Sequence, residues 1–191
     1  MENVLKKIIN KKKERIKIYK KEHPENKLFK DIKNINNFSD FKDKIIKRNS
    51  EHKISIITEI KKASPSAGEI IKNFNPLNIA KIYIENGASF LSVLTEEDFF
   101  FGKLDHIKKI KSKYKIPILC KDFFIDTYQI TLAKSFGADC ILIILSAVDK
   151  MLAKDLSQAA KDLNISTLIE VHSEKEAEIA LNFKDSLVGI N

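Results

Sequence analysis

At 191 residues with 43% hydrophobic side chains, the chain can bury a sizeable core as one domain. No apolar run approaches the roughly 18 residues of a membrane span, and the N-terminus MENVLKKIINKKKER lacks the apolar centre of a signal peptide, so a cytoplasmic protein without membrane contact is expected. The formal charge of +8 is unevenly placed, with 16 Lys and Arg against 7 Asp and Glu in residues 1–50 and 18 against 19 in the remainder. That distribution argues against specific nucleic-acid binding; it reads as a solvated lysine surface or as steering of an anionic small substrate.

In chain order, Val4 to about Lys21 carries an imperfect helical stripe of Val4, Leu5, Ile8, Ile9, Ile16 and Ile18, which His23-Pro24 ends. A polar connection is expected next. A short helix follows to about Arg48, with Ser39 as its N-cap. The stretch IITEIKKASPSAGEI from Ile56 to Ile70 then reads as a first strand. Residues two apart share a face, so Ile57, Glu59 and Lys61 point one way and Ile56, Thr58 and Ile60 the other. Both faces are largely apolar until the strand's end, the pattern of a strand buried on two sides, where charge is tolerated only at the mouth.

Beyond the loop Ser64-Pro65-Ser66-Ala67-Gly68, Asn75-Pro76 starts a helix that stops at Gly87. Strands are expected at 90–95, 118–123, 140–145, 167–171 and 187–191, with helices between them. Six strands alternating with helices, at roughly 25 residues per unit, argue for parallel strands with right-handed crossovers. An eight-unit barrel takes about 250 residues, so on length alone an open doubly wound sheet fits better. Cys120 and Cys140 lie inside apolar strand-like runs with no metal-ligand spacing, and buried free thiols are expected.

The charged residues favour the barrel. Glu59 and Lys61 end the first strand, Lys121 lies near the end of the third and Glu170 near the end of the fifth. In a closed barrel each interior layer comes from alternate strands, so the four groups would converge at one mouth. Two amines among two carboxylates suit acid-base chemistry on an anionic substrate, although structural ion pairing would produce the same pattern.

The strings TEIKKASPSAG, NPLNIAKIYIENGASFLSVLTEEDFFFG, PILCKDFFIDTYQI, GADCILII, LIEVHSEKEAEIAL and VGIN resemble indole-3-glycerol phosphate synthase along nearly the whole chain. The combination of Glu-x-Lys-x-x-Ser-Pro-Ser, Ser-Val-Leu-Thr-Glu and Lys-Asp-Phe is far more specific than a generic barrel signal. The resemblance implies a (β/α)8 TIM barrel behind an N-terminal helical extension, divided as residues 1–50 and 51–191. It implies a carbon-carbon lyase of tryptophan biosynthesis that needs no metal or cofactor. The reaction would be ring closure of 1-(2-carboxyphenylamino)-1-deoxyribulose 5-phosphate, with loss of carbon dioxide and water. By the family motifs Lys121 would be the general acid on the ketone, Glu170 a carboxylate assisting proton transfer, Glu59 a base for the later dehydration, and Lys61 a binder of anionic substrate groups. Phe100 and Phe123 would clasp the aromatic ring, Ser64 and Pro65 line the first loop, and Asn191 hydrogen-bond the substrate. Core filling for the phenylalanines and a plain turn role for Ser64 stay open, and His172 reads as a solvated or capping residue.

The family pattern continues after Gly-Ile-Asn with a second Asn, an Arg and two further strands whose loops bind phosphate. The 191-residue chain is therefore expected to hold about six strands of the barrel and to lack synthase activity alone. It would need a complementing C-terminal segment or self-associate through open barrel edges. A silent fragment, a partner-dependent subunit and a basic binding protein are the alternative readings.

Overall fold

The computed structural model describes residues 4–191. Six parallel strands, β1 (Ile57–Ile60), β4 (Phe90–Leu94), β5 (Ile118–Lys121), β6 (Cys140–Ile144), β7 (Ser166–Val171) and β8 (Leu187–Ile190), form one sheet in sequential order. Between β1 and β4 a two-residue-per-arm hairpin, β2 (Ala63–Ser64) and β3 (Gly68–Glu69), encloses Pro65 to Ala67. A doubly wound sheet would reverse its strand order at a switch point. No reversal occurs here; every strand is added on the same side of the last, and the sheet curls as a barrel does.

Strand alternation divides the apolar residues into two cores. Ile60, Leu91, Val93, Ile118, Ile141, Ile143 and Ile169 face outward onto the crossover helices. These are α4 (Pro76–Glu85), α5 (Leu104–Lys111), α6 (Tyr128–Ser135), α7 (Lys150–Asp162) and α8 (Glu174–Ala180). Asn75 caps α4 by accepting from the amides of Leu77 and Asn78, Asp149 caps α7 and Ser173 caps α8, each satisfying amides that a helix start leaves free. The concave face carries a smaller core of Phe90, Leu119, Cys140 and Leu142.

The N-terminal segment touches the sheet at both ends. Helix α1 (Val4–Glu22) lies at the carboxyl ends of the strands, where Lys12 pairs with Asp122, Arg15 with Glu97 and Asp98, and Lys20 with Asp126. The expected polar connection is instead a helix, α2 (Glu25–Lys33), whose Leu28 is buried with Ile16, Tyr128 and Leu132. Pro24 supplies its start, and tertiary packing against α6 stabilises a short, lysine-rich segment that propensity alone would not. Helix α3 (Phe41–Ser50) then passes beneath the sheet, with the Phe41 ring 4.7 Å from that of Phe90 and fully buried among the concave-face side chains.

Asp40, not Ser39, caps α3 by accepting from the Asp43 amide. The Ser39 amide is engaged elsewhere, donating to Asp139 Oδ1 at 2.6 Å. That carboxylate belongs to a buried cluster: it also accepts from the Ile118 amide at 2.8 Å, and Lys111 Nζ donates to both of its oxygens and to the Asn37 carbonyl. One ion pair thus ties the 37–39 connection, α5 and the start of β5 together. Among the described residues no helix is long and apolar enough to cross a membrane. Both cysteines are buried free thiols, as their apolar surroundings in the sequence predict, and burial pushes the Cys120 thiol up to about 12.

Strand β1 departs from the expectation of burial on two sides. Ile56 and Ile57 are 49% and 38% exposed, and at the other edge Ile190 of β8 is 90% exposed. Among the described residues β1 and β8 are each paired on one side only.

Candidate active site at the carboxyl ends of the strands

Strand alternation delivers the charged groups to the concave face. Glu59 of β1, Lys121 of β5 and Glu170 of β7 follow the apolar positions Ile57, Leu119 and Leu168 by two residues each, so they rise from the same face at the carboxyl end of the sheet. Lys121 Nζ stands 3.7 Å from Glu59 Oε2 and 3.5 Å from Glu170 Oε2, and Lys61 Nζ bonds the other Glu59 oxygen at 2.6 Å. A chain of alternating charge therefore runs from Lys61 through Glu59 and Lys121 to Glu170. His172, two residues beyond Glu170, places Nε2 3.4 Å from Glu170 Oε1, while its amide donates to Glu176 of α8.

These groups line a cavity of about 550 Å³. Phe100 and Phe123 form its aromatic side, with ring centroids 6.3 Å apart and planes inclined by 40°, and Asn191 lies at its edge with its amide donating to the Val171 carbonyl. A larger cleft of about 870 Å³ lies at the opposite end of the sheet, between α3, α7 and the 182–185 turn. Its lysines and aspartates face solvent, Lys161 pairing with Asp185, and no chain of coupled acid and base groups converges there. The smaller cavity, with its converging charged groups, is the candidate for chemistry.

Ser64 and Pro65 are placed in the β2–β3 hairpin outside the lining of this cavity, and Ser64 Oγ accepts from the Ala67 amide as a turn residue does. The hairpin is nonetheless tied to the site, because the Ala63 amide donates to the Phe100 carbonyl. Phe100 in turn belongs to a loop organised by Glu96, a fully buried carboxylate that accepts from the amides of Asp98, Phe99 and Phe100. Burial pushes the Glu96 carboxyl above its ordinary value, against the pull of the Phe99 amide and of Lys12. Gly102 closes the loop with its amide on the Glu96 carbonyl, and only glycine fits there: a Cβ would lie 2.4 Å from the Leu94 carbonyl oxygen.

Three site residues escape sequence reasoning. Leu5 of α1 lines the cavity, His172 contacts Glu170, and Asp122 turns away from Lys121 to accept from Thr95 Oγ1 at 2.8 Å and pair with Lys12 at 2.7 Å. The positions of Asp122 and Glu96 just past strand ends were a usable signal. Nothing distinguishes Lys12 from its neighbours in a run of lysines.

The family described as indole-3-glycerol phosphate synthase matches residues 5–191. The indole-3-glycerol phosphate synthase of Legionella pneumophila (strain Paris) is 42% identical over 191 residues, covering 100% of this chain and 72% of that protein. This chain belongs to the indole-3-glycerol phosphate synthase family. The synthase of Aliarcobacter butzleri (strain RM4018) is 40% identical over 188 residues, covering 98% of this chain and 72% of its own length. Membership confirms the resemblance carried by the motifs, and with it a family of carboxy-lyases in tryptophan biosynthesis.

Solved structures bear out the fold. The tryptophan synthase alpha subunit of Legionella pneumophila str. Paris superposes with a TM-score of 0.55 at 11% identity, over 78% of this chain and 66% of that one. Phosphoribosylanthranilate isomerase of Thermotoga maritima gives 0.52 at 11% identity, over 72% and 63%. The (β/α) barrel architecture expected from the motifs is thus present as a curled, parallel, six-stranded half-barrel.

Proposed function

We propose that the cavity binds 1-(2-carboxyphenylamino)-1-deoxyribulose 5-phosphate and converts it to indole-3-glycerol phosphate. The observation that carries this reading is Lys121 held between Glu59 and Glu170, facing two phenylalanine rings. The flanking carboxylates hold the Lys121 amine at the mouth of the cavity, where it would donate a proton to the ketone oxygen as the ring carbon attacks. The new carbon-carbon bond leaves a cation delocalised through nitrogen, which Glu170 would stabilise. Loss of carbon dioxide returns the electron pair to the ring. Elimination of water then needs a base to take a proton from the ring methylene carbon beside nitrogen, which keeps its own proton, and an acid for the hydroxyl departing from the next carbon; Glu59 and Lys61, 2.6 Å apart, are such a pair. Phe100 and Phe123 would hold the anthranilate ring by offset contact.

The open edges bear on where this activity resides. Strands added beside β1 and β8, by a longer chain, a separate segment or a second copy, would bury Ile57 and pair amides that the described residues leave unpaired. The assay is therefore run on the 191-residue chain with and without a peptide supplying two further strands, following product fluorescence. Lys121→Met should abolish turnover while substrate affinity stays within about tenfold, because a proton donor acts mainly in the transition state. No turnover under either condition, or near-native turnover in Lys121→Met, would overturn the reading.

A further inference from the structure

We propose that Lys12, reaching in from α1, is a positioning residue for the reaction assigned above, pairing with Asp122 and balancing the charge of Glu96 and so fixing the segments that present Lys121, Phe123 and Phe100. The proposal rests on that functional reading for its meaning, and on the following geometry for its support. Lys12 is 3% exposed, the one buried lysine of a helix whose other lysines face solvent, and its Nζ lies 2.7 Å from Asp122 Oδ1. Asp122 also accepts from Thr95 Oγ1 at 2.8 Å and from the Phe123 amide at 2.7 Å, so its carboxylate pins the end of β4 to the turn after β5. Glu96 follows Thr95 directly and holds the Phe100 loop by three amides.

Burial and the neighbouring Asp122 both disfavour the charged form of Glu96, and a nearby cation offsets them. Lys12 is the cation that serves both: it pairs with Asp122 beyond β5 and interacts with Glu96 beyond β4, and with Glu97 as well, although Glu97 and Asp98 are themselves paired with Arg15. Charge matters to the loop because a carboxylate accepts on both oxygens, while a carboxylic acid carries a proton on one of them. If the cation is removed, Glu96 takes up a proton at higher pH and releases part of its grip on residues 98–100. The same step loosens the Ala63 amide's hold on the Phe100 carbonyl, and with it the hairpin beside Lys61.

The test is amide hydrogen exchange on the full 191-residue chain across pH, paired with the synthase assay. In Lys12→Met the protection factors of Phe99 and Phe100 should fall by about ten- to hundredfold, the scale of one charge-assisted hydrogen bond. The acid limb of that protection should move up by about one pH unit, and Lys12→Arg should restore most of both. Asp122→Asn, which removes the neighbouring like charge and retains Lys12, should move the limb the opposite way and serves as the deciding variant if Lys12→Met does not fold. Lys20→Met removes another contact of α1, the exposed pair with Asp126, and should change neither readout. Native protection and an unmoved acid limb in Lys12→Met, an equal effect of Lys20→Met, or an upward shift in Asp122→Asn would each overturn the proposal. Because exchange is read without substrate, these outcomes are decided even if the synthase assay is negative.

Discussion

Replacing Lys111 by Met offers the clearest test of what anchors the N-terminal segment. Lys111 Nζ forms the one salt bridge to Asp139 among the described residues, at 2.8 Å, and the Asp139 side chain is 0% exposed. Removing the lysine leaves a carboxylate inside the protein with the Ser39 and Ile118 amides as its remaining donors, at 2.6 and 2.8 Å. Breaking one side of such a pair costs about 3 to 5 kcal/mol. For a chain of this length each kcal/mol moves the melting temperature by roughly 2 to 4 °C, so a fall of about 10 °C is expected at pH 7. Burial already raises the Asp139 carboxyl against the pull of Lys111; without the lysine it rises further, above its unfolded value. A carboxyl shifted that way is stabilised by protonation, so the deficit of Lys111→Met should shrink as pH falls toward 5. Adding Asp139→Asn should recover about half of the loss, since a neutral amide leaves no buried charge behind. Circular dichroism melts of the three proteins at pH 5 and 7 measure all of this. A loss below about 1 kcal/mol at pH 7, or no recovery in the double variant, would refute the reasoning.

Other outcomes follow from single sites. Burial pushes His106 down to about 4, and its Nδ1 has no partner beside the Phe74 ring. The unfolded chain therefore takes up this proton first, and stability present above about pH 6.5 is lost as pH falls toward 4. His106→Phe should flatten that part of the urea-unfolding profile by about 1 to 3 kcal/mol; an unchanged slope would count against it. Gly102→Ala must displace either the Leu94 carbonyl or the Phe100 loop, and it should weaken substrate affinity more than tenfold by calorimetry. Glu170→Gln should lower turnover by about a hundredfold or more and leave the melting temperature within a few degrees, measured on the protein that supports turnover in the native form.

The order of strands and the rise of Glu59, Lys121 and Glu170 from one face were legible because strand alternation has a fixed period and the β1 and β5 motifs interrupt otherwise apolar runs. Helix α2 was not legible: its lysines and asparagines read as connection, and only burial of Leu28 against α6 makes it a helix. The cap of α3 shifted by one residue because Ser39 and Asp40 are both competent, and the choice was made by Asp139, 100 residues away, taking the Ser39 amide. Lys12 shows the same limit. Its sequence neighbours carry the same charge, and its burial depends on where Asp122 arrives in space.

The placement of α1 above the sheet and α3 beneath it has a consequence for synthesis. A ribosome releases these helices first, yet their anchors, Asp122 and Asp139, emerge roughly a hundred residues later, and α3 seals a floor built from Phe90, Leu119, Cys140 and Leu142. Such distant contacts cannot form until the intervening loop has been closed, which makes them late and slow. The lysine-rich segment therefore lacks these anchors, and its apolar stripe its cover, while β1 to β6 assemble. A strongly cationic opening quarter suits that interval, since like charges keep an unpartnered amphipathic stretch from collapsing on itself or on a neighbouring nascent chain.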